Sequence, residues 1–361
     1  MTGVAVHAVP ITFTFRSLNA HLVAKRRGHT MGVTVIIPVS QPDLLDSPRP
    51  ITVPVSRADR IYRTVTTGAA MASLVVMALI AIFLFVKAWP AIHQSGFHFF
   101  TRFEWDPDGA PAIYGIASAI YGTVVMAVIA LVIALPVSIG TALYINEYAP
   151  RRIQKILISL VDLLAAIPSV VFGLWGRDVL NKQLASVSKF LYDHFRFVPI
   201  FHKQALFFGN SFFVCGVVLA LMIVPIITSI SRAVMAEVPR PYCEAALALG
   251  GTKTGMISDV IFPFSRGGLV GAAMLGLGRA MGETIAVSLI LSINQLVPTN
   301  VLVPGGSAIA GLIAVKFGEA GDNGRSALLG AGLVLFFITL VVNFGARLVV
   351  TRSRPPKGAS R

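Results

Sequence analysis

Apolar residues in this sequence are gathered into long uncharged runs that are separated by shorter polar segments. Six runs stand out, at about 65–86, 113–144, 156–176, 206–231, 267–292 and 326–346. Each is long enough to cross a hydrocarbon layer, because a helix needs about 20 apolar residues to span roughly 30 Å. The pattern therefore predicts an all-α, polytopic membrane protein with about six transmembrane helices.

The first two runs carry further local signals. The first lies behind about 60 residues and has no small-residue cleavage site after it, so we predict a membrane anchor and not a signal peptide. The second is longer than one crossing requires, and Pro136 within it predicts a kink. An interfacial turn over residues 113–119 would then precede this crossing.

Composition and charge agree with a membrane protein. Hydrophobic residues make up 55% of the chain and charged residues only 13%, whereas soluble domains carry about 25% charged residues. The net charge of +14 does not indicate a nucleic-acid binder, because the basic residues lie between the apolar runs. Twenty of the 30 Lys and Arg residues fall in segments 1–64, 145–155, 232–266 and 347–361. Since cytoplasmic loops retain positive charge, both termini are predicted to be cytoplasmic.

The two ends of the chain differ from the membrane region. Residues 1–60 are rich in Pro, Val, Ser and Arg and have no helical or strand period, so we predict a disordered cytoplasmic extension that is dispensable for folding. Met31 offers an alternative start. The transmembrane permease region is predicted over 61–350, with a core of about 110–350, followed by a basic cytoplasmic tail at 351–361.

Two predicted outside loops contain helical patterns. Loop 177–205 has apolar residues at helical spacing, which predicts an amphipathic helix serving either as a lid on the bundle or as a partner site. These residues are Val179, Leu180, Leu184, Val187, Phe190, Leu191 and Phe195. Loop 293–325 contains the apolar stretch 307–317, which is too short to span and predicts a re-entrant or interfacial helix.

The cytoplasmic loop between the fourth and fifth runs, residues 237–263, predicts two short helices. Pro241 can open the first helix, and Gly250 can end it in a left-handed cap. Thr252 can cap the second helix, and Pro263 is predicted to stop it. Both helices would expose apolar faces where no lipid covers them.

This loop resembles the permease family of ATP-binding-cassette importers, whose coupling pattern is Glu-Ala-Ala, three residues, Gly, nine residues, Ile-x-Leu-Pro. The matching positions are Glu244, Ala245, Ala246, Gly250 and Pro263, while Val260 and Phe262 replace Ile and Leu. The resemblance implies a type I importer permease (MetI-like) fold in which the loop docks on a separate ATPase subunit. An ordinary helical hairpin explains five matched positions less well.

Further motifs are similar to the PstC family, the permease subunits of phosphate importers, over about residues 105–350. They are Tyr114-Gly, Ile120-Tyr-Gly-Thr123, the Ala165–Gly176 stretch with Gly-Leu-Trp-Gly, and Gly276-Leu-Gly-Arg-Ala-Met-Gly-Glu-Thr-Ile-Ala-Val287. The resemblance implies three partners: a PstA-like sister permease, a homodimeric PstB-like ATPase and a PstS-like extracytoplasmic phosphate-binding protein. It also implies the plasma (inner) membrane of a prokaryote. A PstA-type role, or a sulfate or molybdate permease, is the alternative.

Three residues of the Asp, Glu, Lys and Arg set lie inside the predicted spans: Asp162, Arg279 and Glu283. A charge at mid-helix costs about 2.5–3.5 kcal/mol on insertion scales, so such residues should face the bundle interior. Arg279 and Glu283 are four residues apart, so a continuous helix would place them on one face as a compensating pair. An arginine also suits a tetrahedral oxyanion, so we expect both residues in the substrate path rather than in a pair that only pins helices together.

Three further residues are candidates for the substrate path. Thr284 follows Glu283 in the motif, and Ser169 offers a hydroxyl beside Pro168, although a structural helix break explains Ser169 better. Asp162 lies about two turns inside the third run, where it either lines the path or contacts Arg151 or Arg152.

No other chemistry is indicated by the sequence. The glycines from Gly276 to Gly282 follow no strand and favour helix packing over nucleotide binding, and no phosphate-binding loop motif is present. The chain is therefore predicted to be no enzyme, and ATP and Mg²⁺ should bind the partner ATPase. Neither the histidines nor Cys215 and Cys243 have metal-ligand spacing, and no disulfide, metal or cofactor is predicted. A secondary transporter or ion channel is the rival class, but it leaves the 237–263 loop unexplained.

Overall fold

The computed structural model describes residues 56–107, 109, 112–201, 208–291 and 300–352, with side chains up to residue 348. The chain divides into two compact units, residues 1–67 and 68–361. Of the first unit, the described residues 56–67 form the beginning of the first helix. Most of the predicted extension 1–60 and nearly all of the tail 351–361 lie outside the described residues.

Helices account for nearly all of the described chain. In order they are α1 Arg57–Ser95, α2 His98–Thr101, α3 Ala117–Leu143, α4 Arg151–Ala165, α5 Ser169–Trp175, α6 Asn181–Phe195, α7 Phe212–Ala236, α8 Arg240–Ala248, α9 Lys253–Met256, α10 Phe262–Gly282, α11 Ile285–Ile290, α12 Ile309–Lys316 and α13 Asp322–Arg352. Strands β1 Trp105–Asp106 and β2 Ile113–Tyr114 pair antiparallel just before α3. Three π turns, Tyr144–Tyr148, Gly176–Leu180 and Ile257–Ile261, continue α3, α5 and α9.

Among the described residues, five helices are long and apolar enough to cross a membrane. They are Arg57–Ser95, Ala117–Tyr148, Phe212–Ala236, Lys253–Gly282 and Asp322–Leu348. A bent pair, Arg151–Ala165 with Ser169–Phe195, raises the number to six if it is one broken span. The predicted all-α, polytopic fold is confirmed.

The helix break that the sequence favoured beside Pro168, inside the predicted third span 156–176, is present. The chain bends by 86° between α4 and α5. At this point the hydrogen bonds tighten to the i→i−3 pattern, with Ala166 N donating to Leu163 O and Ile167 N to Leu164 O. Pro168 follows in an extended conformation. Its ring has no N–H to donate and disfavours helical geometry in the preceding residue, so the helix ends before it.

The prediction of a continuous fifth span over 267–292 was wrong. Helix α10 ends at Gly282, and Glu283 adopts the extended conformation with φ −70° and ψ 127°. The short helix α11 begins two residues later. Arg279 and Glu283 therefore do not lie one turn apart on a common helix, and the sequence argument for a pair on one helix face does not apply.

The prediction that Pro263 stops the second helix of the 237–263 loop was wrong. The π turn Ile257–Ile261 joins α9 to α10, so one helix runs from Lys253 to Gly282. A π turn shifts the backbone hydrogen bonds by one residue and so accommodates a proline that would break a regular α-helix.

The core of the second unit is built where α3, α7 and α10 pack together. Small residues on α3 and α10, including Ala130, Ala134 and Ala272, are fully buried there. Small side chains let helix backbones approach closely, which is the main source of packing energy between helices in lipid. Both cysteines are buried free thiols, Cys215 on α7 and Cys243 on α8.

The two predicted loop helices are confirmed as α6 and α12. One face of α6 packs on the core through Leu184, Leu191 and Tyr192, while Val187 and Phe190 are exposed. Helix α12 is only eight residues long and is buried at its start.

The start of α12 is held against the first turns of α3. Thr123 Oγ1 donates to Ala119 O at 2.7 Å and accepts a hydrogen bond from Ile309 N at 3.0 Å, so it caps the shorter helix. A Cβ atom at the neighbouring Gly122 would overlap the backbone carbonyl of Ser307. Glycine is therefore required here by the close approach of two backbones.

We expect Gly122→Ala to destabilise the folded protein, because the methyl group meets backbone that no rotamer change can move away. Overpacking of this kind costs about 1–3 kcal/mol. The measurement is the apparent melting temperature and the folded yield in detergent. Gly140→Ala on the same helix is the matched control, since a Cβ there meets no atom within 4 Å. Equal melting temperatures for the two variants would contradict the prediction.

Candidate functional site

The two short helices that follow the breaks, α5 and α11, pack against each other. A Cβ on Gly173 of α5 would lie 2.8 Å from Ala286 Cα of α11, and one on Gly176 would lie 3.0 Å from Ile290 Cδ1. Residue numbers increase in the same direction along both helices, from Gly173 to Gly176 and from Ala286 to Ile290, so α5 and α11 run in the same direction. The starts of α5 and α11, at Ser169 and Ile285, therefore lie at the same end of this helix pair.

Glu283 and Thr284 make the local hydrogen bonds that end one helix and begin the next. Glu283 Oε1 accepts from Ala286 N at 3.2 Å, and Thr284 Oγ1 donates to Gly282 O at 3.2 Å. Both residues are half-buried. A carboxylate at a helix start is favoured because the first backbone N–H groups there have no partner within the helix.

Arg279 lies on an exposed face of α10, together with Gly271, Leu275 and Gly282. A Cβ at Gly271, Gly278 or Gly282 would meet no atom within 4 Å, so this face is open along its length. Within the described part of the chain, Arg279 forms no ion pair, with Glu283 or any other residue. The expected Arg279–Glu283 ion pair is thus absent from the described residues. The alternative role of this pair, to hold α10 against neighbouring helices, has no support among them.

Asp162 is exposed on α4 and accepts a hydrogen bond from Ser229 Oγ of α7 at 3.3 Å. Its alternative partners, Arg151 and Arg152, lie in the first turn of the same helix and form no ion pair with it in the described structure. Sequence reasoning missed Ser229, whose only signal was a hydroxyl inside an apolar run. The structure separates Asp162 from Ser169 by the α4–α5 bend.

The 237–263 loop has the predicted local structure of its first helix and of the turn. Pro241 lies in the first turn of α8, and Gly250 has φ +86°, the left-handed conformation that glycine adopts without strain. Gly250 N donates to Leu247 O and Gly251 N to Ala246 O, which closes the helix. Thr252 Oγ1 then accepts from Gly255 N at 3.1 Å and caps α9.

The two helices of this loop differ in what they expose. Tyr242 and Leu247 on α8 are exposed, as is Leu249 just after it, with 90% of its surface accessible. Glu244 and Ala245 are exposed, and Ala246 is half-buried. The prediction that the second helix also exposes its apolar face was wrong, because Met256, Ile257 and Ile261 pack into a core cluster with Ala142 and Met235. The uncovered apolar surface belongs to α8 and the turn after it.

Residues 134–355 match the family described as binding-protein-dependent transport system inner membrane component. This match covers more than half of the chain and includes α7 to α12 and the 237–263 loop. The chain belongs to this family. It is therefore a membrane permease component of a transport system, as the loop motif predicted.

Curated relatives are similar along most of their length. The chain is 39% identical over 300 residues to phosphate transport system permease protein PstC 2 of Mycobacterium tuberculosis, covering 82% of this chain and 93% of the relative. It is 38% identical to PstC of Xylella fastidiosa, covering 84% and 94%, and 37% identical to PstC of Haemophilus influenzae, covering 83% and 95%.

A solved structure supports the fold of this family member. The structure of a bacterial alginate ABC transporter with its alginate-bound periplasmic protein contains a chain that aligns with a TM-score of 0.52 at 17% identity. The alignment covers 81% of this chain and 98% of that one. The likeness agrees with the predicted type I importer permease fold.

Proposed function

We propose that the chain is the PstC-type permease subunit of an ATP-driven importer that moves inorganic phosphate into the cytoplasm. The assignment of phosphate as the substrate rests on the 37–39% identity to phosphate transport permeases over more than four-fifths of the chain. The open face around Arg279 supports an anionic substrate, because an intramembrane arginine without an ion-pair partner can compensate a crossing anion.

In this proposal Arg279 attracts phosphate, and Glu283 keeps it from binding too tightly. Glu283 is held at the start of α11 by Ala286 N, next to Thr284, and α11 packs against α5, which begins at Ser169. Phosphate would therefore pass from a guanidinium to a region with a carboxylate and hydroxyl groups, where release is easier. Asp162 with Ser229 would form a second polar point on α4 and α7.

The proposed partners follow from the same family. A PstA-like sister permease would cover the open face of α10, a homodimeric PstB-like ATPase would bind the exposed surface of α8, and a PstS-like protein would deliver phosphate from outside. ATP and Mg²⁺ would bind the ATPase. Both termini would lie in the cytoplasm, in agreement with the distribution of Lys and Arg.

Uptake of labelled phosphate by the complete transporter, reconstituted in vesicles with its binding protein, tests this proposal. We expect uptake that requires ATP, survives collapse of the proton gradient and is competed by unlabelled phosphate. Inhibition by excess sulfate or molybdate would favour another oxyanion. Uptake driven by a proton gradient without ATP would favour a secondary transporter and overturn the proposal.

A further inference from the structure

The cytoplasmic-side end of α3, next to the 237–263 loop, carries charges that the function above does not use. The π turn Tyr144–Tyr148 is closed by a hydrogen bond from Ala149 N to Tyr144 O at 2.9 Å, and Pro150 then ends the helical path. The last carbonyl groups of a helix have no partner within it, so they accept hydrogen bonds from outside. Cationic side chains are favoured at this position by the helix dipole.

Three consecutive residues of this turn contact three different segments. Asn146 Nδ2 donates to Arg232 O of α7 at 2.8 Å. Glu147 accepts twice: its Oε1 from Arg240 Nη1 of α8 at 3.3 Å, and its backbone carbonyl from Lys253 Nζ of α9. The same Lys253 Nζ lies 4.1 Å from the centre of the Tyr148 ring. We name these contacts the Glu147 cluster; its members are Asn146, Glu147, Tyr148, Arg232, Arg240 and Lys253.

Glu147 is the centre of this cluster because its side chain is only 9% exposed, whereas that of Arg240 is 63% exposed. A desolvated carboxylate without its cation is costly, so the pair holds Arg240 at the first turn of α8. Water screens the exposed arginine, which limits the strength of the pair. The apolar contacts of Cys243, Met256 and Ile257 with Ala142 hold the same loop independently of charge.

We infer that Glu147 is a positioning residue that ties both helices of the 237–263 loop to the end of α3. This inference rests on the proposed function, in which the loop receives the motion of the ATPase. Helix α3 packs against α7 and α10 along the core, and α10 carries Arg279. A displacement of α8 would thus reach the substrate face through α3 as well as through α10 itself.

Glu147→Gln and Arg240→Gln, made in the assembled transporter, test this inference. The first keeps the side-chain shape, the second shortens a largely exposed side chain, and neither touches the apolar cluster. The first readout is the rate of amide hydrogen exchange in residues 240–256. We expect it to become about two- to fivefold faster, which is the change in local opening expected from the loss of one partly screened ion pair. The second readout is the amount of phosphate moved per ATP hydrolysed, which should fall by a similar factor. The double variant should match Glu147→Gln, because both lack the carboxylate, and should be no worse than Arg240→Gln, which leaves Glu147 without its cation.

Two control variants separate this role from a general loss of structure. Arg240→Lys keeps the charge and should restore most of the coupling. Glu319→Gln removes an exposed ion pair, Lys316 Nζ to Glu319 Oε2 at 3.4 Å, that lies far from the loop in sequence, and it should change neither readout. Unchanged exchange in Glu147→Gln would overturn the inference. Faster exchange with unchanged transport per ATP would overturn the transmission role. If the parental transporter moves no phosphate, the proposed substrate fails, while hydrogen exchange still decides whether Glu147 holds the loop.

Discussion

Replacing Arg279 by glutamine should abolish phosphate uptake while the transporter still assembles. The guanidinium lies on an open face of α10 and forms no ion pair within the described residues, so its removal leaves no buried partner unsatisfied. A charge-assisted contact to a desolvated phosphate is worth about 2 kcal/mol, which corresponds to a loss of uptake of about 30-fold or more. Arg279→Lys keeps the charge without the planar fork and should retain part of the activity.

The experiment compares initial rates of phosphate uptake at equal amounts of assembled transporter. Arg266→Gln is the matched control, because Arg266 lies in the first turns of the same helix and belongs to no proposed site. Some ATP hydrolysis should remain in Arg279→Gln. Uptake at the parental rate would remove Arg279 from the mechanism, and loss of assembly would instead indicate a structural role.

Replacing Gly250 by tryptophan should uncouple ATP hydrolysis from transport. Gly250 has φ +86°, and no atom lies within 4 Å of a Cβ built there, so the chain itself has room for a larger side chain. An indole at this position would instead occupy the space where the ATPase is proposed to bind. A left-handed conformation costs a non-glycine residue about 1–2 kcal/mol, so backbone strain must be controlled separately.

Gly96→Trp provides that control. Gly96 follows α1, also has a left-handed φ of +56°, and also has open space around its Cβ position. The two variants therefore share the strain and differ in location. We expect normal uptake in Gly96→Trp, and weak ATPase association or ATP hydrolysis without uptake in Gly250→Trp. Normal association and normal uptake in Gly250→Trp would count decisively against docking at this turn.

The positions of the two breaks could not be derived from the apolar runs. A run of apolar residues satisfies the length requirement of a span whether the helix is straight or broken, because both forms bury the same side chains. Pro168 was a local signal for a break, yet its 86° bend depends on where α5 packs. The break at Glu283 had no proline, and it is stabilised by a side-chain hydrogen bond to Ala286 N that only the folded chain reveals.

The apolar runs by themselves determined that the chain is a polytopic membrane protein, because transfer of apolar side chains into lipid depends on each segment alone. The permease class followed from the resemblance of Glu244, Ala245, Ala246, Gly250 and Pro263 to the family's coupling pattern, and local turn geometry explains the helix end at Gly250. Tertiary structure alone decided which polar residues meet. It packed α5 against α11, left Arg279 on an open face, and tied Glu147 to Arg240 and Lys253. These contacts join residues far apart in sequence, and they form only when helices pack against one another.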